Sequence, residues 1–408
     1  MLVPSCWSVL QAFLSVATGV LSCPQERLLH QLTLAWLMGC GGKMCRASHA
    51  VVGRHRTSLA RFLNTSRWDA PTLLTTLAIR LLQRLRPRPG EFLDFIIDDT
   101  RFAKRARKMP GVQKIWIHAE QRFARGHQVV AAAVRFRGLV LPWRFVLWLP
   151  ADYCQSQTVP YRKTTAIAAD LIDQFEPPAG LRVRVLFDAF YLCPVVTSAC
   201  ERRGFTWFSV AAKNRNLRIG ERMRAIGEIG PGTLRHRGKP VRLRRARGWR
   251  WMRIAAVDGT LPRIGEVRVV YSKRPEDAWK NLLAIVTNAT TLTPREIVAC
   301  YERRWAIEVL FKELKGTLGL GEYQVQTRQG IERHLHLCAL AHLTLTHHGV
   351  RAVGAQAKLA NTDVPLPKFQ ERLETLRHEV RAETAERVIG RIRHAKTRKR
   401  LRELLLTR

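Results

Sequence analysis

Phe92-Leu93-Asp94-Phe95-Ile96-Ile97-Asp98-Asp99-Thr100 is a nearly continuous apolar run of strand length that ends on two aspartates. Working outward, Gln128 to Phe136 and Leu139 to Leu149 read as two strands around Arg137-Gly138, a hairpin. Residues 162 to 175 are helical, with Ile167, Leu171 and Phe175 on one face, and Glu176-Pro-Pro-Ala-Gly180 breaks the helix. Leu181 to Phe187 then alternates Leu or Val with Arg, turns fully apolar and ends at Asp188. A helix near Pro194 to Arg203 leads to a further strand, Thr206 to Ala212. This order predicts an antiparallel meander followed by parallel additions in a mixed sheet. Asp98 and Asp188 are expected where strands end, in loops at a sheet edge, which is where α/β folds gather their chemistry.

A third acid comes from a different kind of segment. Thr293-Pro-Arg-Glu296 makes a capping box with Pro at the first helical position, and it starts a helix through Tyr301-Glu-Arg-Arg-Trp-Ala-Ile-Glu-Val-Leu-Phe-Lys-Glu-Leu-Lys315. At about 100° per residue, Tyr301, Arg304, Glu308 and Lys315 fall in a stripe roughly 60° wide. That stripe gathers one carboxylate, two cations and a phenol. A hard cation site wants the carboxylate, and a phosphodiester wants the cations and the phenol. Each residue alone has a plainer reading: a turn aspartate, a Glu308–Lys312 surface pair, core aromatics. Together, Asp98, Asp188 and Glu308 point to metal-dependent phosphoryl transfer on a nucleic acid, with two ions about 3.5 to 4 Å apart.

The composition agrees. The 408 residues are enough for two or three domains, and 46% hydrophobic content supports a folded body. Lys plus Arg number 69 against 32 Asp plus Glu, a formal +37 that calls for a polyanion. The 9 cysteines are odd in number and include no Cys-x-x-Cys pair, so neither a disulfide framework nor a zinc ribbon is indicated, and a reduced cytoplasm fits. Residues 1 to 25 lack charged side chains, but interspersed Ser, Thr, Gln and Gly predict a buried helix rather than a leader or a membrane span.

Residues 1 to about 86 look helical. Within them Arg54 to Asn64 has Thr57 or Ser58 as N-cap and Leu59, Phe62 and Leu63 as an apolar face. Arg84-Leu-Arg-Pro-Arg-Pro-Gly90 is a punctuated linker. Residues 213 to 280 hold basic turns and short strand-like pieces such as Arg250 to Val257 and Glu266 to Tyr271, and Leu282 to Thr287 is again strand-like. From about residue 367 the chain is helical and basic, ending in a Lys/Arg-dense run after Arg391.

The spacing Tyr301-x2-Arg304-x3-Glu308-x6-Lys315 resembles the Y-R-E-K signature of bacterial cut-and-paste DDE transposases of insertion sequences. Leu318-Gly-Leu320, Asp98-Asp99-Thr100 and Val185-Leu-Phe-Asp188-Ala-Phe-Tyr191 look like that family too. The resemblance spans roughly residues 90 to 325 and implies a ribonuclease-H-like α/β core, 89–349, with a β-rich insertion at 213–280. A helical end-binding domain, 1–88, and a basic helical segment, 350–408, would flank it. By resemblance, Asp98, Asp188 and Glu308 bind two Mg²⁺ ions, for which Mn²⁺ can substitute, with Asp99 a rival to Asp98. Tyr301, Arg304 and Lys315 would hold DNA phosphates. Trp279, with Trp249 and Trp251 as alternatives, would stack an unpaired base. The implied function is cleavage and strand transfer at terminal inverted repeats by a nucleoid-associated homodimer, acting on double-stranded DNA without a membrane. The alternative is a non-catalytic DNA-binding derivative of such an enzyme.

Overall fold

The structure is a computed structural model that describes residues 12–15, 21–40, 55–106, 108–117, 121–245, 248–354, 363–390 and 397. The Lys/Arg-dense run after Arg391 falls almost wholly outside them. In chain order, three helices, α1 (Cys23–Ala35), α2 (Arg56–Asn64) and α3 (Ala70–Arg84), precede β1 (Phe92–Ala103), β2 (Gln113–Ile117), β3 (Arg122–Phe136) and β4 (Leu139–Leu147). Then come α4 (Ala151–Ser156), α5 (Thr164–Asp173), β5 (Arg182–Leu186), α6 (Pro194–Arg202), β6 (Thr206–Val210), β7 (Asn216–Ile219) and β8 (Arg222–Ala225). The remainder is α7 (Ile226–Arg237), β9 (Lys239–Arg245), β10 (Gly248–Leu261), β11 (Gly265–Lys273), β12 (Leu283–Thr287), α8 (Pro294–Glu302), α9 (Trp305–Gly316), α10 (Arg328–Val353) and α11 (Phe369–Gly390).

The twelve strands of the described residues form one mixed sheet in the order β2-β3-β1-β5-β6-β12-β11-β10-β7-β8, with β4 on β3 and β9 on β10. β1, β3 and β4 are the antiparallel meander, and β5 and β6 add in parallel to β1, the arrangement the strand order predicts. The β3–β4 turn is Arg137-Gly138, both at positive φ (45° and 78°), the backbone a two-residue hairpin with right-handed strand twist requires. A large mixed α/β sheet of this kind is consistent with a ribonuclease-H-like core.

The expected insertion is more tightly joined than its turn-rich sequence implies. β11 pairs with β12 and β12 with β6, so β7 to β11 extend the core sheet. Four elements have no counterpart in the sequence reading: β2, α4, the long helix α10, and helix α7 with Pro231 inside it. α7 lies on the sheet where the Tyr271 hydroxyl donates to the Ile226 carbonyl at 3.0 Å.

At the other end, α10 is buried along most of its length and packs on β4, α3, α2 and α1. The buried Arg333 guanidinium donates to the carbonyls of Leu63 (2.9 Å) and Trp68 (2.8 Å), and the Trp36 indole N–H to Cys338 Sγ (3.2 Å). Leu59, Phe62 and Leu63 of α2 are buried as expected. The N-cap, however, is His55, whose ring nitrogen accepts from the Thr57 amide, so the helix starts two or three residues earlier than Thr57 or Ser58 would set it. Phe13 and Leu14 are buried, Phe13 stacked on His347, and no described helix is long and apolar enough to cross a membrane. The described cysteines are all free.

Candidate active site

The site is set by register. β1 and β5 run parallel with Asp94 beside Arg184 and Ile96 beside Leu186, where their pairing ends. Asp98 and Asp188 each lie two residues further on. With the side-chain period of two they share the face of Asp94 and Arg184, about one strand spacing (~4.8 Å) apart. On that face the Arg184 guanidinium meets Asp94 at 2.6 Å, a buried pair that fixes the strands together, and Arg135 and Arg303 approach the same carboxylate at 3.5 and 3.8 Å.

One expectation fails here. Asp98 is not in a loop at a strand end, because β1 continues to Ala103 with β3 hydrogen-bonded alongside, Asp98 opposite Ala131. The polar run Asp98 to Arg101 resembles a turn in sequence, but the antiparallel neighbour keeps it extended. Asp188 does follow the end of β5. It caps a single 3-10 turn, Ala189–Tyr191, its Oδ1 accepting from the amides of Phe190 (3.0 Å) and Tyr191 (3.4 Å).

The third motif crosses this face. Thr293 and Glu296 form the reciprocal capping box, and α8 begins with Pro294. The single helix expected through Lys315 is instead two, α8 and α9, joined through Arg303 and Arg304. Both arginines keep helical dihedrals, but the bonds there tighten to the i→i−3 type: Arg304 N to Tyr301 O, Ala306 N to Arg303 O, Ile307 N to Arg304 O. No proline or glycine causes the break; it directs two consecutive guanidiniums at two acids of β1. Arg303 approaches Asp94, and Arg304 Nη1 lies 2.9 Å from Asp98 Oδ2 while its Nη2 pairs with Glu308.

Tyr301 is the next neighbour, the Arg304 guanidinium 6.0 Å from its ring centre. Burial pushes the Tyr301 phenol up to about 12, against the pull of Arg304. Lys315 donates to the Arg101 carbonyl at 3.2 Å; burial lowers its pKa, and Asp99 and Asp98 draw it back up. Asp98, with a side chain 14% exposed, is raised from 3.8 to about 7, first by burial, with Arg304 opposing and Asp188 and Asp99 adding repulsion. Asp99 takes the other direction, meeting Gln128 Nε2 (2.9 Å) and Arg101 (3.4 Å).

Asp98, Asp188, Glu308, Tyr301, Arg304 and Lys315 are therefore neighbours. Trp279 is not joined to them by a described contact; it lies between Arg235 and Lys273, at 5.1 and 5.3 Å. Trp279, Trp249 and Trp251 are all exposed, at 40%, 54% and 57%, so none is a core aromatic. Sequence reasoning passed over Tyr191. It is fully buried, its hydroxyl has no hydrogen-bond partner among the described residues, and burial, then Asp99, Asp98 and Asp188, push its pKa far above the ordinary phenol range. Its only sequence signal is its place three residues after Asp188.

Two carboxylates abreast, one of them held poorly solvated beside a like charge, make a hard-oxygen donor set that suits a small divalent cation. Among the described residues no three ligand-type side chains converge on one point; Arg304 stands between Asp98 and Glu308 as their shared counter-charge.

Compared with known families, residues 23–263, more than half of the chain, match the family described as DDE superfamily endonuclease. Residues 272–353 match the family described as "Archaeal putative transposase ISC1217". The first match contains Asp98 and Asp188 and the second contains Glu308. No curated protein matches the chain.

Proposed function

The chain belongs to the DDE superfamily of endonucleases, and from that premise we propose that it is a transposase that cuts DNA at the terminal inverted repeats of its own element and joins the freed ends to target DNA. The observation that carries the reading is the pair Asp98 and Asp188, abreast on one sheet face and bridged through Arg304 to Glu308. Asp98, Asp188 and Glu308 would hold two divalent ions, Mg²⁺ by their all-oxygen chemistry, with Mn²⁺ able to replace it. When bound, such ions supply activation of a water or 3′-hydroxyl and neutralisation of the leaving oxygen.

The remaining work falls to the protein. Arg304 keeps the acids gathered before DNA arrives; turned toward a phosphate, its planar fork can grip two oxygens and release Glu308 toward Asp98. Lys315 and the Tyr301 phenol, protonated at neutral pH, donate to the same backbone. Asp99 is the less suitable ligand, since Gln128 and Arg101 engage its carboxylate. Trp279 is exposed between two cations and suits an unpaired base. On this reading residues 1–88 bind the ends, 213–280 is the insertion and 350–408 adds basic surface, with two copies pairing two ends.

Asp188→Asn is the direct test, because asparagine caps the 3-10 turn as aspartate does and the fold is preserved. Cleavage of DNA bearing the element's ends in Mg²⁺ should fall by three orders of magnitude or more, with end binding within about twofold of wild type. Cleavage near the wild-type rate would remove Asp188 from the chemistry.

A further inference from the structure

The end of β1 and the exit of α9 are tied together by a lysine from each side. Lys315, in the last turn of α9, donates to the Arg101 carbonyl of β1 at 3.2 Å. Lys104, the residue after β1, reaches the other way. Its ammonium donates to the carbonyls of Gly321 (2.5 Å) and Tyr323 (3.1 Å) and lies 3.2 Å from the centre of the Tyr323 ring. Phe102 touches both ties, its ring 5.1 Å from the Lys315 ammonium and edge-on to Tyr323 at 6.5 Å.

The segment that Lys104 holds is firmly joined to α9. The Leu320 amide donates to the Leu314 carbonyl in the last turn of that helix (3.0 Å), and the Glu322 amide to the Gly319 carbonyl (2.9 Å). His334 of α10 meets the same Gly319 carbonyl at 3.0 Å, and the buried Tyr323 hydroxyl pairs with His127 of β3 at 2.6 Å. A Cβ on Gly321 would lie 2.9 Å from Phe102 Cδ1, so the segment packs on β1 too closely for a side chain. A shift of residues 319–323 is therefore a shift of the end of α9 and of Lys315.

Packing alone would favour an apolar side chain at position 104, because an amine loses its hydration there. Burial lowers the Lys104 amine from 10.5 to about 7, with Glu322 drawing it back up. Charged or neutral, it keeps the two N–H groups that the two carbonyls require. The two ties differ in what DNA does to them. An ammonium that turns to a phosphate gives up its carbonyl, so Lys315 cannot hold Arg101 and DNA at once. Lys104 is engaged by two carbonyls and a ring of the protein itself, and its tie survives.

We propose that Lys104 is a positioning residue for cleavage: it holds the exit of α9 against the end of β1 once Lys315 has moved to DNA, and so keeps Glu308 within reach of Asp98. This rests on the cleavage reading of Lys315 and Glu308, and it adds a residue that acts only through them.

Lys104→Met keeps the length of the stem and removes the donors. Its melting temperature should lie within about three degrees of wild type. It should bind DNA bearing the element's ends within about twofold of wild type, yet cut it at least about tenfold more slowly in a single turnover in Mg²⁺. Amide exchange, followed by mass spectrometry in EDTA so that nothing is cut, reads the tie itself. Adding end DNA should speed exchange several-fold at Arg101 to Lys104 and at Thr317 to Tyr323 in the variant and not in wild type. Tyr323→Phe loses the bond to His127 but keeps the ring and carbonyls that hold Lys104, and should cut as wild type does. Wild-type cutting by Lys104→Met, or an equal loss from Tyr323→Phe, would overturn the assignment. So would a melting temperature lower by about ten degrees with end binding lost, which marks plain structural support. If Asp188→Asn cuts as wild type does, the cleavage reading fails, while the exchange comparison still tests the tie. If Asp188→Asn is inactive and DNA leaves exchange in Lys104→Met unchanged, the role of the lysine fails alone.

Discussion

Asp98 is the residue at which stability and chemistry pull against each other. Its folded pKa of about 7 stands above the ordinary 3.8, so between those values the native state holds a proton that the unfolded chain has lost. Stability from this group is therefore present at low pH and falls as pH rises from about 4 to about 7. The full cost above pH 7 is on the order of 4 kcal/mol. Asp98→Asn removes that cost, so in metal-free buffer its stability relative to wild type should increase from pH 4 to pH 7 and then level off. Urea melts across the range check this, and a difference that is flat or shrinks with pH would refute it. At pH 8, Mg²⁺ should raise the Tm of wild type and leave Asp98→Asn unmoved. The residue types and spacing of the candidate site were legible because chemistry constrains them directly. Whether Asp98 or Asp99 points to the helix was not, since a strand buried on both faces has no polar alternation to read. The structure turns Asp98 to Arg304 and Asp99 to Gln128 and Arg101. Tyr191 was missed because its place depends on a 3-10 turn that no single residue announces.

At the scale of elements, the backbone around β1 is as constrained as its acids. Gly126 of β3 faces Ala103 of β1 and Gln113 of β2, and a Cβ there would lie 2.1 Å from the Phe102 carbonyl oxygen and 2.7 Å from Ile115 Cδ1. The obstacle is backbone, which cannot swing aside. Gly126→Ala should cost roughly 2 to 4 kcal/mol and loosen the end of β1 beyond Thr100. Thermal melting and amide exchange at Arg101 to Ala103 measure it; an unchanged Tm would mean the three strands can spread. Long periodic elements such as β3, β4, α5 and α6 could be placed from sequence alone, since burial repeats along them. The extension of β1 through Asp98 to Arg101 could not, because a neighbouring strand rather than local preference keeps it extended. The same holds for α7, whose proline and glycines argue against a helix that Tyr271 and the sheet stabilise. The tightened joint at Arg303 and Arg304 likewise has no local signature; two acids of another strand hold it.

Over the whole molecule, the N-terminal helices and the sheet share one hydrophobic core, an arrangement hidden in the sequence because Arg84 to Gly90 reads as a boundary. Local composition marks the linker, but the packing that follows depends on α10, some 250 residues later, which lies between β4 and α1 to α3. Leu59, Phe62, Leu63, Leu73, Leu77 and Leu81 are all fully buried or nearly so in that layer. Arg333 adds two hydrogen bonds to carbonyls of the segment 63–68, and its own charge is buried. Removing residues 1 to 88 would therefore expose the apolar outer side of α10 and part of β4 to water, along with Arg333, whose carbonyl partners leave with the removed segment. A chain that starts at Gly90 should be expressed as aggregate, or give no cooperative thermal transition, instead of forming a basic core that has lost only its preference for one DNA sequence. Arg56 and Arg61 are exposed on α2 and can be replaced without touching the buried face. Arg56→Ala/Arg61→Ala should melt within about two degrees of wild type, and the salt dependence of its DNA binding should fall by a slope of about 2 if both arginines meet phosphates. A soluble, cooperatively folding chain from Gly90 onward, observed by size-exclusion chromatography and circular dichroism, would show that the N-terminal layer is a separable domain after all.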